Sequence, residues 1–213
     1  MKNEELKIIF MFSGIIQSTA TVASCKKHEH GAMLTLLFSD VSLRNLQIGA
    51  SVCVAGVCLT VVSIQDDTVS FDLTNETLNL TTLYDLETND SLNIECSIKV
   101  GDEIGGHLVS GHVHGIATLL EKKENGVYRF QLPEELKKFV IEKGFIALDG
   151  ASLTVVDYDI ASGTFSVAFI PETLRATTFG SLPIGGRVNV EVDQQTRAVV
   201  ETVERMMTAE GKF

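Results

Sequence analysis

Short apolar and β-branched runs dominate the chain. Ala32-Met-Leu-Thr-Leu-Leu-Phe38, Leu59-Thr-Val-Val-Ser-Ile64 and Val188-Asn-Val-Glu-Val192 are each bounded by Gly, Asn or Asp. Runs of this length between turn residues predict short strands, at the spacing of a small sandwich or barrel. A short helix is predicted to open at Ser39 or Asp40 and run through Leu46, with a counterpart over Pro133–Ile141 whose proline sits in the first turn. Beyond Asp193 the pattern changes: Val199, Val200, Val203, Met206 and Met207 recur at helical spacing, with Arg197, Glu201, Glu204 and Arg205 between them. This predicts one amphipathic helix, whose apolar stripe either packs back on its own domain or serves self-association.

The pattern is written twice. Ser13-Gly14 returns as Ser110-Gly111, 97 positions on, and Gly56-Val-Cys-Leu-Thr-Val-Val62 returns as Gly150-Ala-Ser-Leu-Thr-Val-Val156, 94 positions on. Asn75-Glu-Thr-Leu-Asn-Leu-Thr-Thr82 with Asn93-Ile-Glu95 returns as Pro171-Glu-Thr-Leu-Arg-Ala-Thr-Thr178 with Asn189-Val-Glu191, 96 positions on. Motifs in one order at one spacing imply a tandem duplication, and a period this long means paired domains, not a solenoid. The expected fold is all-β: two homologous β-barrels over residues 11–97 and 107–193, followed by the helix and tail of residues 194–213. Residues 98–106, with Gly101, Gly105 and Gly106, read as the linker, and residues 1–10 as an N-terminal extension. A protein that keeps two copies of one pocket is suited to two copies of one ligand.

Composition narrows the partner. The 213 residues suit two small domains. A formal charge of −11, from 28 Asp and Glu against 17 Lys and Arg, with no basic run, argues against nucleic acid or an anionic membrane surface. The longest apolar run near the start, Ile8-Ile-Phe-Met-Phe12, is too short for a span or a signal segment, so a cytoplasmic location is expected. Cysteines 25, 53, 58 and 96 lack CxxC spacing and a matching histidine pair, which disfavours zinc and a disulfide framework.

The repeated motifs offer Gly backbone, Ser and Thr hydroxyls and one Cys, without Trp, an Arg cluster or GxGxxG. Such a lining suits a flat, neutral heterocycle carrying a polyol, although Thr and Val are also ordinary strand formers. The copies differ where it counts: Phe12 becomes Val109, Ile15 becomes His112, Ala55 becomes Asp149, Cys58 becomes Ser152 and Ser97 becomes Asp193. Two like ligands would be held in unlike surroundings, as a reaction between two identical molecules needs, with proton transfer by a group such as His112.

Met11-Phe-Ser-Gly-Ile-Ile16, Gly56-Val-Cys-Leu-Thr-Val61, Gly105-Gly-His-Leu-Val-Ser-Gly-His112, Gly144-Phe-Ile-Ala-Leu-Asp-Gly-Ala-Ser-Leu-Thr154 and Ile170-Pro-Glu-Thr-Leu174 together resemble the riboflavin synthases of the alpha-subunit type, from Met11 to about Met207. The resemblance implies two Greek-key β-barrels, a C-terminal helix that assembles a homotrimer, and the dismutation of two 6,7-dimethyl-8-ribityllumazine molecules into riboflavin and a ribitylaminopyrimidinedione. It implies no metal and no redox cofactor, and it leaves open whether the trimer associates with lumazine synthase. The implied site lies where the N-terminal barrel of one subunit faces the C-terminal barrel of another. Carried over by motif, the N-barrel pocket comprises Gly14, Ile15, Ile16, Cys58, Leu59, Thr60, Asp72, Leu73, Thr74, Asn75, Glu76 and Thr77. The C-barrel pocket comprises Gly111, His112, Val113, Ser152, Leu153, Thr154, Ala168, Phe169, Ile170, Pro171, Glu172 and Thr173, with Lys143 reaching across the interface. Phe12, Ser51, Cys58, His112, Asp149 and Asp193 match positions associated with catalysis, His112 as the preferred proton shuttle. For Cys58 a binding role is as well supported as nucleophilic assistance, since Ser152 fills the equivalent slot.

The chain departs from the family pattern at residues 1–10, which precede its usual Met-Phe start and imply an added tail or an earlier start codon. The competing function is a noncatalytic binder resembling the lumazine protein of luminous bacteria. In such binders the second-copy motifs drift, whereas here the Gly105–His112 and Ile170–Leu174 strings are intact.

Overall fold

The computed structural model describes residues 11–38 and 46–209. The N-terminal extension lies outside them, as do all but the last residue of the helix expected at 39–46. Strands β1 (Ser18–His28), β2 (Gly31–Phe38), β3 (Ser51–Val54), β4 (Val57–Gln65), β5 (Thr68–Thr74) and β6 (Ser91–Cys96) close into one barrel in the order β1-β2-β5-β4-β3-β6. Strands β7 (Gly115–Lys122), β8 (Val127–Gln131), β9 (Phe145–Leu148), β10 (Ala151–Asp159), β11 (Thr164–Ala168) and β12 (Arg187–Val192) close into a second with the same connectivity. Among the described residues, closure leaves neither barrel an open strand edge. The duplication extends to defects in the ladders. The β1 bulge at Val22/Ser24 recurs in β7 at Leu119/Glu121, and that of β4 at Val61/Ser63 recurs in β10 at Val155/Asp157.

Alternation along each strand fills the barrels. Val52, Leu59, Val61, Phe71 and Ile94 lie in one core, and Phe130, Leu148, Val155, Phe165 and Val190 in the other. After β5 and β11 come the short helices α1 (Asn75–Leu80) and α2 (Pro171–Ala176). Thr74 caps α1 by accepting from the Thr77 N–H at 3.1 Å, whereas Ile170 at the equivalent point offers no side-chain cap and Pro171 opens α2 instead. The helix expected over 133–141 is a 3₁₀ segment, Glu134–Phe139, packed into the core through Leu136 and Phe139.

The barrels meet about a pseudo-twofold axis. Phe12 and Val109 exchange backbone hydrogen bonds of 2.8 and 3.0 Å, and with Cys53 and Ala147 they form a small apolar cluster between the barrels. Asn93 of β6 accepts from the Thr178 N–H at 2.9 Å and donates to the Asp149 carbonyl at 3.2 Å; Asn189 of β12 accepts from Thr82 N–H at 2.8 Å and donates to the Ala55 carbonyl at 2.7 Å. All four contacts cross between barrels and satisfy polar groups that the joint would otherwise bury unpaired. One further feature ties the halves together. Ile16, from the first copy, packs on the core of the second barrel, while its counterpart Val113 lies inside the core of the first.

The last helix, α3 (Gln194–Ala209), is held at its start by Asp193, whose carboxylate accepts from Thr196 N–H at 2.8 Å and Thr196 Oγ1 at 2.7 Å. Val200 packs on the second barrel and Glu204 pairs with Lys138 at 2.6 Å, but Val199, Val203, Met206 and Met207 are exposed. Among the described residues no helix is long and apolar enough to cross a membrane.

Candidate functional site

The tight β3–β4 and β9–β10 turns carry left-handed backbone at Ala55-Gly56 and Asp149-Gly150 and project the following strands toward the joint. There the repeated Ser-Gly segments come in, each against the opposite barrel. The Cys58 N–H donates to the Gly111 carbonyl at 2.9 Å, and the Ser152 N–H donates to the Gly14 carbonyl at 2.8 Å. Both glycines hold positive φ, +74° at Gly14 and +77° at Gly111, and a Cβ on either would lie 2.5 Å from the Cβ of Ser152 or Cys58 respectively. The segments meet across the repeats. Within one chain Gly111–Val113 joins Cys58, and Gly14–Ile16 joins Ser152, because the segments cross the joint before entering their own barrels.

Two unlike clusters result. In the first, the buried Ser51 faces Thr60 across the β3–β4 ladder, beside Cys58. Burial pushes the Cys58 thiol above its ordinary value, opposed by Ser51 and assisted by the negative Glu191. At neutral pH this sulfur is a protonated, weakly polar contact, not a thiolate nucleophile. His112 follows Gly111 and is exposed. In the second cluster, Ser152 Oγ lies 2.6 Å from Nδ1 of His107, whose ring stacks on Phe145 with centroids 5.1 Å apart. Burial lowers the His107 pKa, against the pull of the nearby Asp193 carboxylate, so at neutral pH its imidazole is uncharged and can accept a proton. Gly106 is packed so tightly here that a Cβ would sit 2.6 Å from Ser152 Cβ.

Strand alternation sorts the remaining candidates. Thr60, Asp72 and Thr74 on β4 and β5, and Thr154, Ala168 and Ile170 in the second copy, are exposed, whereas Leu59, Leu73, Leu153 and Phe169 point into the cores and offer a ligand only backbone. Asn75, Glu76, Pro171 and Glu172 stand exposed at the starts of α1 and α2, with Thr77 and Thr173 half-buried behind them. Glu172 is taken up by Arg175. Lys143 is exposed and donates to the Val156 carbonyl at 3.0 Å. Phe12 is fully buried in the joint. Asp149 is buried in its turn with Oδ1 accepting from Asn189 N–H at 2.7 Å, and burial raises its pKa to about 7. Among the described residues no three His, Cys, Asp or Glu side chains come together as a metal-binding set.

Sequence reasoning passed over His107, His114, Glu95 and Glu191. The string Gly105–His112 holds two histidines and only the second was singled out; Gly106 beside His107 was the available signal of a tight approach. His114 accepts from Val192 N–H at 3.2 Å and burial, followed by the charge of Arg197, lowers its pKa to about 4.

A model of the lumazine binding domain matches the chain twice, over residues 13–97 and 110–193. Riboflavin synthase of Chlamydia pneumoniae is 46% identical over 202 residues, 95% of this chain and 100% of that one, and riboflavin synthase of Escherichia coli K12 is 44% identical over 93% of this chain and 94% of that one. The chain belongs to the riboflavin synthase family. Among solved structures, LumP complexed with riboflavin aligns with a TM-score of 0.79 at 26% identity, over 86% of this chain and 100% of LumP. LumP complexed with 6,7-dimethyl-8-(1'-D-ribityl) lumazine aligns with a TM-score of 0.76 at 24% identity, a likeness of fold. In this chain the two matched copies are the two barrels, and the crossed Ser-Gly segments join them.

Proposed function

We propose that this chain is a riboflavin synthase in which two molecules of 6,7-dimethyl-8-ribityllumazine exchange a four-carbon unit, giving riboflavin and 5-amino-6-(D-ribitylamino)uracil. The observation that carries the reading is that one twofold scaffold presents two unlike clusters. One is a protonated thiol beside a buried hydroxyl, and the other a hydroxyl beside a neutral imidazole. A transfer between identical molecules requires one to lose a proton from its C7 methyl while the other is attacked at C7, so unlike surroundings assign unlike roles. His107, uncharged and bonded to Ser152 Oγ, supplies a base with a hydroxyl relay. His112, exposed beside Cys58, supplies a second proton carrier from the opposite side of the joint. The reaction is a group transfer that draws on no cofactor.

The lumazine-binding units extend over residues 11–97 and 107–193, joined by 98–106, and the exposed stripe of α3 assembles a homotrimer in which the N-terminal barrel of one subunit faces the C-terminal barrel of the next. Lys143 then reaches the neighbour. The expected location is the cytoplasm.

Incubation of the purified protein with 6,7-dimethyl-8-ribityllumazine alone is expected to yield one riboflavin for every two lumazines consumed, followed by absorbance and chromatography. Tight binding without product would make the chain a lumazine carrier. Replacing His112 or His107 with Gln is expected to lower turnover about 100-fold. Lumazine affinity, read by fluorescence titration, should stay within about threefold, because Gln keeps a polar hydrogen-bonding side chain at either position; lost binding with normal residual turnover would refute the proton-transfer role. Met206→Glu in the exposed stripe is expected to shift the sedimenting species from trimer to monomer; an unchanged trimer would move the interface off α3.

A further inference from the structure

Each Ser-Gly segment is held in place by one buried carboxylate. Glu95, at the end of β6, receives three hydrogen bonds: Ser13 N–H at 2.7 Å and Ser13 Oγ at 2.6 Å on Oε1, and Gly14 N–H at 3.0 Å on Oε2. Glu191, its counterpart on β12, receives the same three from Ser110 N–H at 2.8 Å, Ser110 Oγ at 2.8 Å and Gly111 N–H at 2.9 Å. Glu95 is 1% exposed and Glu191 3%, and among the described residues no lysine or arginine is paired to either. Two consecutive backbone N–H groups and a hydroxyl converging on one carboxylate make a charge-assisted clamp that only an acceptor on both oxygens satisfies. A Gln would turn an NH₂ toward one of the amides, and an Asp would fall short.

The clamped segments build the cluster of the other barrel. Glu95 belongs to the first barrel, but its Gly14 carbonyl receives Ser152 N–H; Glu191 belongs to the second, but its Gly111 carbonyl receives Cys58 N–H. We propose that Glu95 and Glu191 are positioning residues acting crosswise: Glu95 sets the Ser152–His107 cluster, and Glu191 sets the Cys58 cluster. This rests on reading those clusters as the two ligand sites. Each site therefore takes its geometry from a carboxylate of the opposite copy.

The test uses the full-length protein and the alkylation rate of Cys58 by iodoacetamide, located by peptide mass spectrometry, with and without 6,7-dimethyl-8-ribityllumazine. Glu191→Gln is expected to raise the Cys58 rate at least tenfold and to abolish protection by lumazine. Glu95→Gln is expected to leave both within twofold of the unaltered protein while shifting the pH titration of the His107 ring resonances. Ser110→Ala keeps the charge of Glu191 and removes one of its three bonds, so it serves as the milder variant should Glu191→Gln fail to fold. It should accelerate labelling by a few-fold. Equal acceleration in the Glu95 and Glu191 variants, or acceleration in Glu191→Gln with none in Ser110→Ala, overturns the crosswise clamp. If lumazine fails to protect Cys58 in the unaltered protein while the selective acceleration persists, the clamp stands and the ligand assignment falls.

Discussion

Replacing Gly111 with Ala is expected to lower riboflavin formation on the order of 1000-fold, combining the roughly 100-fold cost of an ångström-scale displacement with impaired proton transfer by the adjoining His112. The new methyl group would sit 2.5 Å from Cys58 Cβ and 2.7 Å from Cys58 N. The second contact is backbone within a barrel strand and cannot swing aside as a flexible side chain would. Positive φ at this position adds about 1–2 kcal/mol of strain for any residue with a Cβ. Relief requires the segment to lift away, which breaks the Cys58 N–H to Gly111 carbonyl bond and carries His112 with it. Gly185, with φ of +81° and nothing within 4 Å of its Cβ position, separates strain from collision. Gly185→Ala should lose about 1–2 kcal/mol in urea denaturation and keep its turnover. Comparable activity in both variants would show that the close approach at Gly111 does not shape the site.

Asp149→Asn is expected to remove the component of the pH dependence of stability that falls as pH rises toward neutrality, leaving the opposite component of the buried His107 and His114. In the fold this carboxyl is held to about 7 by burial, against about 3.9 in an unfolded chain. The folded state thus binds the proton more tightly than the unfolded state. The resulting stability is fully present below about pH 4 and is lost as pH rises through 7. Between about pH 5 and pH 8 the loss amounts to roughly 2–3 kcal/mol. Asparagine keeps an oxygen for the Asn189 N–H bond and carries no charge to desolvate, so the variant should be the more stable protein at pH 8 by about 4 kcal/mol. Urea midpoints at the two pH values, taken on both proteins, check this; parallel pH dependences would place the titration elsewhere. Turnover in the same variant tells whether the proton held near neutrality also serves the reaction.

Much of the fold is legible in the sequence, for a physical reason. Duplication doubles every signal, so the Gly56–Val62 and Gly150–Val156 strings establish equivalent hairpins even though either alone reads as ordinary strand. The amphipathic stripe from Val199 to Met207 specifies α3 because period 3.6 differs plainly from period 2. The 3₁₀ form of Glu134–Phe139 was not legible, since its two buried contacts at Leu136 and Phe139 fit either helix type. The sequence marks the segments that meet at the joint but not which of them touch. Repeat equivalence pairs Gly14 with Gly111 and Cys58 with Ser152; it carries no information on which glycine meets which strand, because that depends on a crossing between barrels. Some strand residues in the motifs, such as Leu59 and Leu153, are core positions that alternation hides inside a string copied whole. Glu95 and Glu191 passed as repeat markers because a buried carboxylate reveals itself only through its donors, 80 to 82 residues away.

The exchange of Ile16 and Val113 bears on how such a chain folds. Neither barrel is completed by its own copy alone. A single unit alone would lack the side chain, Val113 or Ile16, that the other copy packs on its core. The arrangement is that of a symmetric dimer with swapped segments carried in one chain, so that a meeting of two units is a folding event within one molecule. It also frees the two units from identity, so that one can keep a thiol where the other has a hydroxyl.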